Sequence, residues 1–260
     1  MNRKNLKKRK KLKRIIIAYS LRAIVILVPI IVIVLMVCGC RYIYEKITNK
    51  DDKRYVYADN DAPPIAPAKD DVPEFCVVID AGHGGSDGGT VSGEAVEKDI
   101  NLSVALKLKA ILEDHNIEVI LTRNADEDVS LAQRASVAND ANADLFISLH
   151  CNYYEDDAQI AGLECYYDSP NAAESKAYAE SIINAVSLRD DIKARNAKAV
   201  SYYVLRNVNI PAVLVEMGFL SNYTERQNLL SEDYQKNLSE IIAEGILEEL
   251  ADSEEIAQNE

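Results

Sequence analysis

The chain has 260 residues, a formal net charge of −13, five cysteines and only three histidines. That length holds one domain of moderate size plus extensions. Beyond residue 44, all 42 Asp and Glu stand against 18 Lys and Arg, which excludes nucleic acid or an anionic polymer as a partner held by bulk electrostatics.

The positive charge is concentrated at the start, where nine of the first 14 residues are Lys or Arg. An apolar run, Ile15 to Cys40, follows with Arg22 as its single charge; its uninterrupted part, Ala23 to Cys40, has 18 residues. With flanking residues it reaches the ~20 needed to cross a bilayer. The basic flank puts the N-terminus in the cytoplasm and the remainder outside. We therefore expect a basic cytoplasmic segment (1–14) and a single-pass membrane anchor (15–44), with the rest extracytoplasmic. Val37-Cys38-Gly39-Cys40 faintly resembles a lipoprotein processing box, so the alternative is a lipoprotein anchored at Cys40. Residues 45–73 are polar and hold four of the seven prolines, which reads as a semi-extended spacer.

Residues 74–250 form the expected globular domain, followed by an acidic tail (251–260). Strand and helix patterns alternate within it. Val77–Asp80 is a strand running into a glycine-rich turn that carries His83. Lys98–His115 is a helix with Ile100, Val104, Leu108 and Ile111 on one face. Ile117–Thr122 is a strand, Leu131–Asn142 a helix, and Asp144–Leu149 an apolar strand ending at His150. Leu163–Tyr167 is a strand and Asn171–Val186 a helix. Tyr202–Leu205 and Ala212–Val215 are strands, the second ending at Glu216, and Glu232–Leu250 is a closing amphipathic helix. This alternation predicts an α/β fold: a single domain with a mostly parallel twisted sheet flanked by helices on both faces, preceded by the transmembrane helix. Cys38 and Cys40 lie at the membrane end. Cys76, Cys151 and Cys165 adjoin or lie in strands and are expected as buried free thiols, since their number is odd and their spacing matches no zinc ribbon.

His83 and His150 each follow a strand, and parallel strands bring their C-terminal ends to one edge, where open α/β sheets usually keep their chemistry. Glu216 reaches the same edge. His115, in a polar helix end, reads as a solvated surface residue. Glu97 begins the helix after the glycine turn; alone it is an N-terminal helix acid favoured by the macrodipole, a role Glu94 could also fill. In combination, two neutral imidazoles and one carboxylate match a catalytic zinc set. A second carboxylate outside that set would take a proton from the attacking water. Glu97 and Glu216 divide between these two jobs.

Asp80-Ala-Gly-His83-Gly-Gly, Glu97-Lys-Asp-Ile-Asn101-Leu, Arg134 with Ala138-Asn139, Ser148-Leu-His150-Cys-Asn152 and Pro211-Ala-Val-Leu-Val-Glu216-Met-Gly-Phe-Leu-Ser-Asn222 together resemble the zinc-dependent N-acetylmuramoyl-L-alanine amidases of the amidase-3 type. The likeness spans about residues 75–250. It implies one Zn2+ per domain held by His83, Glu97 and His150, with Glu216 as the catalytic carboxylate. The implied reaction is hydrolysis of the amide joining the lactyl group of N-acetylmuramic acid to L-alanine in peptidoglycan. Asn152, Arg206 and Asn222 are candidate substrate contacts, with loop capping or an internal salt bridge as the alternatives for them. Arg134 and Asn139 read as structural. The turn glycines are expected to leave space above the metal for substrate.

Some relatives carry a long insertion over the zinc; only 20 residues separate His150 from the helix near Asn171, so an open site is expected. The layout resembles sporulation amidases, and a vegetative wall amidase would look the same. A monomer is expected, bound to peptidoglycan and to the membrane through its N-terminal helix, with room for a helper protein. Two other classes compete: a zinc peptidase acting on the stem peptide, and a non-catalytic wall-binding module.

Overall fold

The computed structural model describes residues 73, 75–168 and 172–259. The expected anchor, linker and candidate lipidation site lie outside these residues. Among the described residues no helix is long and apolar enough to cross a membrane.

The domain is built in chain order as β1 (Cys76–Ala81), β2 (Val91–Ser92), β3 (Ala95–Val96), α1 (Glu97–Asp114), β4 (Glu118–Leu121), α2 (Leu131–Ala141), β5 (Leu145–Asn152) and β6 (Leu163–Tyr167). It continues as α3 (Ala172–Ser187), β7 (Ala194–Ala199), α4 (Tyr203–Arg206), β8 (Ala212–Phe219), α5 (Tyr223–Leu229) and α6 (Glu232–Asn259). Six strands form one sheet in the order β4-β1-β5-β8-β6-β7, and β2 and β3 pair as a separate small hairpin. In the six-stranded sheet β4, β1, β5 and β8 run parallel, and the β6–β8 pairing is the antiparallel one. The mostly parallel sheet expected from the sequence is therefore present.

Period-two alternation divides the sheet into two faces. Val77, Ile79, Leu145, Ile147, Leu149, Val213 and Val215 pack with α1, α3 and α6. Val78, Phe146, Ala212 and Leu214 pack with Ala135 and Ala138 of α2 and with Val204 and Leu205 of α4. Helix α1 buries Ile100, Val104, Leu108 and Leu112 at helical spacing and places Glu97 and Asp99 in its first turn, where the macrodipole favours acids. Helix α2 starts in a capping box between Ser130 and Gln133 and stops at Asn142 in the left-handed conformation.

Three expectations need correction. Tyr202–Leu205 has the aromatic and β-branched composition of a strand, yet Tyr203–Arg206 is a single helical turn, because that turn delivers the adjacent residues Val204 and Leu205 to one core. Ala194–Ala199, where the sequence pattern predicts no element, forms the edge strand β7 from Ala, Arg, Asn and Lys. The closing helix runs past Leu250 to Asn259. Cys151 and Cys165 are buried free thiols, as expected, whereas Cys76, at the first position of β1, is a free thiol only partly buried. His115 is exposed at the end of α1.

Candidate active site

Asp80, Ser148, His150, Leu214 and Glu216 occupy alternating positions on the α2 face of adjacent strands, in a register that pairs Asp80 with Ser148 and His150 with Glu216. Strand β5 extends through His150 to Asn152 and β8 through Glu216 to Phe219, so both residues lie inside strands rather than just beyond them. After β1 the chain turns sharply, and His83 sits in the left-handed region at φ 61°. That conformation is uncommon for a residue with a side chain and costs ~1–3 kcal/mol unless its surroundings hold it.

Two buried arginines hold it. Arg134 Nη1 bonds Asp80 Oδ1 at 2.6 Å and donates to the Ala81 carbonyl at 2.7 Å, while Nη2 donates to the His83 carbonyl at 2.7 Å. Arg123 donates to the carbonyls of Ala81, Gly82, Lys98 and Ala125 at 2.8–3.2 Å. Asp80 also accepts from Thr122 and Ser148, each at 2.7 Å.

Several loop glycines are required by close contacts within the protein. A Cβ on Gly82 would lie 2.3 Å from the His150 ring, one on Gly84 2.4 Å from the Glu127 carbonyl oxygen, and one on Gly89 2.7 Å from Glu97 Oε2 and His83 Cδ2. At Gly82 and Gly89 the missing side chain lets the segments that carry His83, Glu97 and His150 approach each other.

His83 Nε2 and His150 Nδ1 converge on the single oxygen Glu97 Oε1, at 3.1 and 3.0 Å. The two rings meet edge to face with centroids 4.8 Å apart. Cys151 N donates to the same oxygen at 3.1 Å, and Thr90 N donates to Oε2 at 2.8 Å, so the carboxylate is fixed by backbone from two elements. One ligand atom from each of His83, Glu97 and His150 lies within 4.8 Å of the others. The donor set of two imidazole nitrogens and one carboxylate oxygen fits a divalent metal. The Glu97 hydrogen bond pushes His83 up to about 9. Burial opposes ionisation of Glu97, yet the bonds to His150 and His83 hold it well below the usual carboxylate range.

Glu216 behaves oppositely. Its Oε2 is buried and has no hydrogen-bond partner among the described residues. Burial, aided by the negative charges of Glu97 and Glu164, pushes its carboxyl up to about 7, with His150 opposing. A cleft of about 610 Å³ opens over His83, His150 and Glu216 and is walled by Leu131, Tyr202 and Tyr203.

The remaining candidates lie outside this lining. Asn222 caps α5, accepting from Thr224 N and Glu225 N at 3.0 and 3.2 Å. Asn152 accepts from Tyr153 N at 2.7 Å and faces Glu164 Oε2 at 3.4 Å. Arg206 lies 5.6 Å from the ring of Tyr203, a residue of the cleft wall. Asn139 links α2 to the segment after α4 by bonds with Asn207 and Asn209. Sequence reasoning missed Asp87, Arg123, Glu164 and the cleft tyrosines. Asp87 alone left a signal: an acid four residues from His83 in the same loop.

A family profile described as N-acetylmuramoyl-L-alanine amidase matches residues 77–248. The germination-specific N-acetylmuramoyl-L-alanine amidase of Bacillus subtilis is 33% identical over 186 residues, which are 66% of this chain and 78% of that protein. A crystal structure of N-acetylmuramoyl-L-alanine amidase from Clostridium difficile 630 superposes with a TM-score of 0.66 at 35% identity, covering 69% of this chain and 98% of that one. The CwlD amidase of Clostridioides difficile, solved in complex with the GerS lipoprotein, superposes with a TM-score of 0.62 at 31% identity, covering 68% and 98%. The chain belongs to the amidase-3 family of N-acetylmuramoyl-L-alanine amidases, which act on peptidoglycan.

Proposed function

We propose that His83, Glu97 and His150 hold one Zn2+ and that Glu216 moves the proton in hydrolysis of the bond between the N-acetylmuramyl lactyl group and L-alanine. One observation carries this reading: two imidazole nitrogens gather at Glu97 Oε1, making three candidate ligand atoms, while the strand paired with His150 supplies a buried carboxylate oxygen that no described residue satisfies. An unactivated amide is a poor electrophile and water a poor nucleophile; the bound ion would polarise the carbonyl and acidify the water. Glu216 takes the proton from the attacking water and delivers it to the departing alanine nitrogen. A carboxyl near 7 suits both transfers at neutral pH. The histidines and Glu97 bind and orient, and Tyr202, Tyr203 and Leu131 form an apolar wall along one side of the cleft.

Arg206 is the proposed partner of a stem-peptide carboxylate, since its neighbour Tyr203 lines the cleft. The inward bonds of Asn152 and Asn222 favour a supporting role for both. The N-terminal segment anchors a monomeric enzyme outside the membrane, in spore-cortex or vegetative wall remodelling. By analogy with CwlD and GerS, a lipoprotein helper is a testable partner.

The test uses purified protein, peptidoglycan sacculi and mass spectrometry of the products. Free stem peptides beginning with L-alanine are expected, abolished by chelation and restored by zinc. Glu216→Gln should lose about 10²–10⁴-fold in rate while still binding one zinc. Cleavage inside the peptide that leaves lactyl-alanine intact would exclude the amidase assignment, and full activity in Glu216→Gln would exclude the proposed base.

A further inference from the structure

Each imidazole has two nitrogens and can present either to a metal, so a ligand histidine is specified only when something engages the other nitrogen. For His83 that partner is Asp87. His83 Nδ1 lies 2.8 Å from Asp87 Oδ2, while Nε2 points to Glu97 Oε1. The Asp87 carboxylate is itself located by backbone. Its Oδ1 accepts from Gly89 N at 3.0 Å. The backbones of Gly84 and Asp87 exchange two hydrogen bonds, at 2.9 and 3.1 Å, closing the loop into a small antiparallel bridge. The loop thus folds back so that a carboxylate four residues on meets the far side of the ring.

We propose that Asp87 is a positioning residue: it accepts the His83 Nδ1 proton, fixes the tautomer that leaves the Nε2 lone pair facing Glu97 and His150, and makes that nitrogen a stronger donor to the metal. The proposal rests on the assignment of a zinc site to His83, Glu97 and His150. The competing account is an ordinary surface ion pair, since the Asp87 side chain is 65% exposed. Such pairs contribute little to stability and would leave metal affinity unchanged.

Zinc affinity separates the two, measured on the full chain by competition with a chromophoric chelator. Asp87→Ala should bind zinc roughly 10–100-fold more weakly than wild type, with the melting temperature of the metal-free protein unchanged. Asp87→Asn should fall between them, because its one carbonyl oxygen can serve either Gly89 N or His83 Nδ1 and carries no charge. It also carries the test alone should Asp87→Ala fail to fold. Wild-type affinity in the variants overturns the proposal, and so does a drop in metal-free melting temperature large enough to account for the weaker binding. Failure of the wild type itself to bind stoichiometric zinc overturns the underlying metal assignment instead, and is read before either variant.

Discussion

Gly82→Ala isolates how the fold positions His150, a proposed metal ligand. The added Cβ would sit 2.3 Å from His150 Cε1 and Nε2 and 2.7 Å from Nδ1, against ordinary carbon contacts of ~3.5–4.0 Å. One partner must retreat by about 1 Å. The backbone of Gly82 is held: its N–H donates to the Leu149 carbonyl at 3.0 Å, and its carbonyl accepts from Arg123 Nη2 at 3.0 Å and Asn101 Nδ2 at 3.2 Å. The ring of His150, on the cleft side, is the part able to move. Overpacking of this kind costs ~1–3 kcal/mol when the core resists; here the ring swings and the cost falls on the site. A displacement near 1 Å removes about 10² in rate. We therefore expect Gly82→Ala to melt near the wild-type temperature, bind zinc more weakly and lose about 100-fold in kcat/KM on a soluble muropeptide. Gly88→Ala is the control, since its Cβ would meet nothing closer than Val91 Cγ2 at 3.7 Å, and it should keep activity within about twofold, as ordinary contact at a surface position allows. Near wild-type zinc affinity and kcat/KM in Gly82→Ala would refute the reasoning.

In metal-free protein, His83 is raised to about 9 from 6.5, so its stabilising contribution is full below pH 6.5 and is lost as pH rises through 9. The melting temperature in chelator should fall over that interval, whereas zinc-loaded protein should hold, because ligands that shed protons bind metal more tightly; parallel curves would contradict this. Arg134→Met leaves Asp80 without its one ion-pair partner among the described residues and should cost about 3–5 kcal/mol in urea unfolding, with a loss under ~1 kcal/mol counting against the buried clamp. Glu164→Gln removes a negative charge that raises Glu216 and unpairs Arg195 and Lys198. The acidic limb of kcat/KM should move to lower pH, and an upward move would show that Glu216 is not the titrating group.

The sequence exposes what is local. Strands β1, β5 and β8 are apolar runs buried on both faces, and their ends carry His83, His150 and Glu216, so parallel pairing alone brings those residues together. Other features depend on distant residues. Nothing in Leu163–Tyr167 announces that β6 enters antiparallel to β8. Ala194–Ala199 lacks apolar alternation because it is an edge strand whose Arg195 and Lys198 reach Glu164. The purpose of Gly82 is the ring of a residue 68 positions later, and that of Arg123 is a set of carbonyls some 40 positions earlier. Side chains and glycines whose partners are set by tertiary contact leave no periodic trace.

Those distant contacts explain how a strained histidine is held where the proposed metal site needs it. His83 occupies the left-handed region, a cost the loop alone would relieve by relaxing. It cannot relax, because the carbonyls of Ala81, Gly82 and His83 are all bound by Arg123, Arg134 or Asn101. Arg134 is in turn held by Asp80, whose remaining acceptor capacity is used by Thr122 from the end of β4 and Ser148 from β5. The backbone that aims His83 is therefore tied into the same sheet and helices that bury the core, and loosening it would break buried charged hydrogen bonds costing ~1.5–3 kcal/mol each. Strain of ~1–3 kcal/mol is smaller than that sum. The ring consequently stays in place before any substrate arrives, which is what a metal-assisted hydrolysis requires of its ligands.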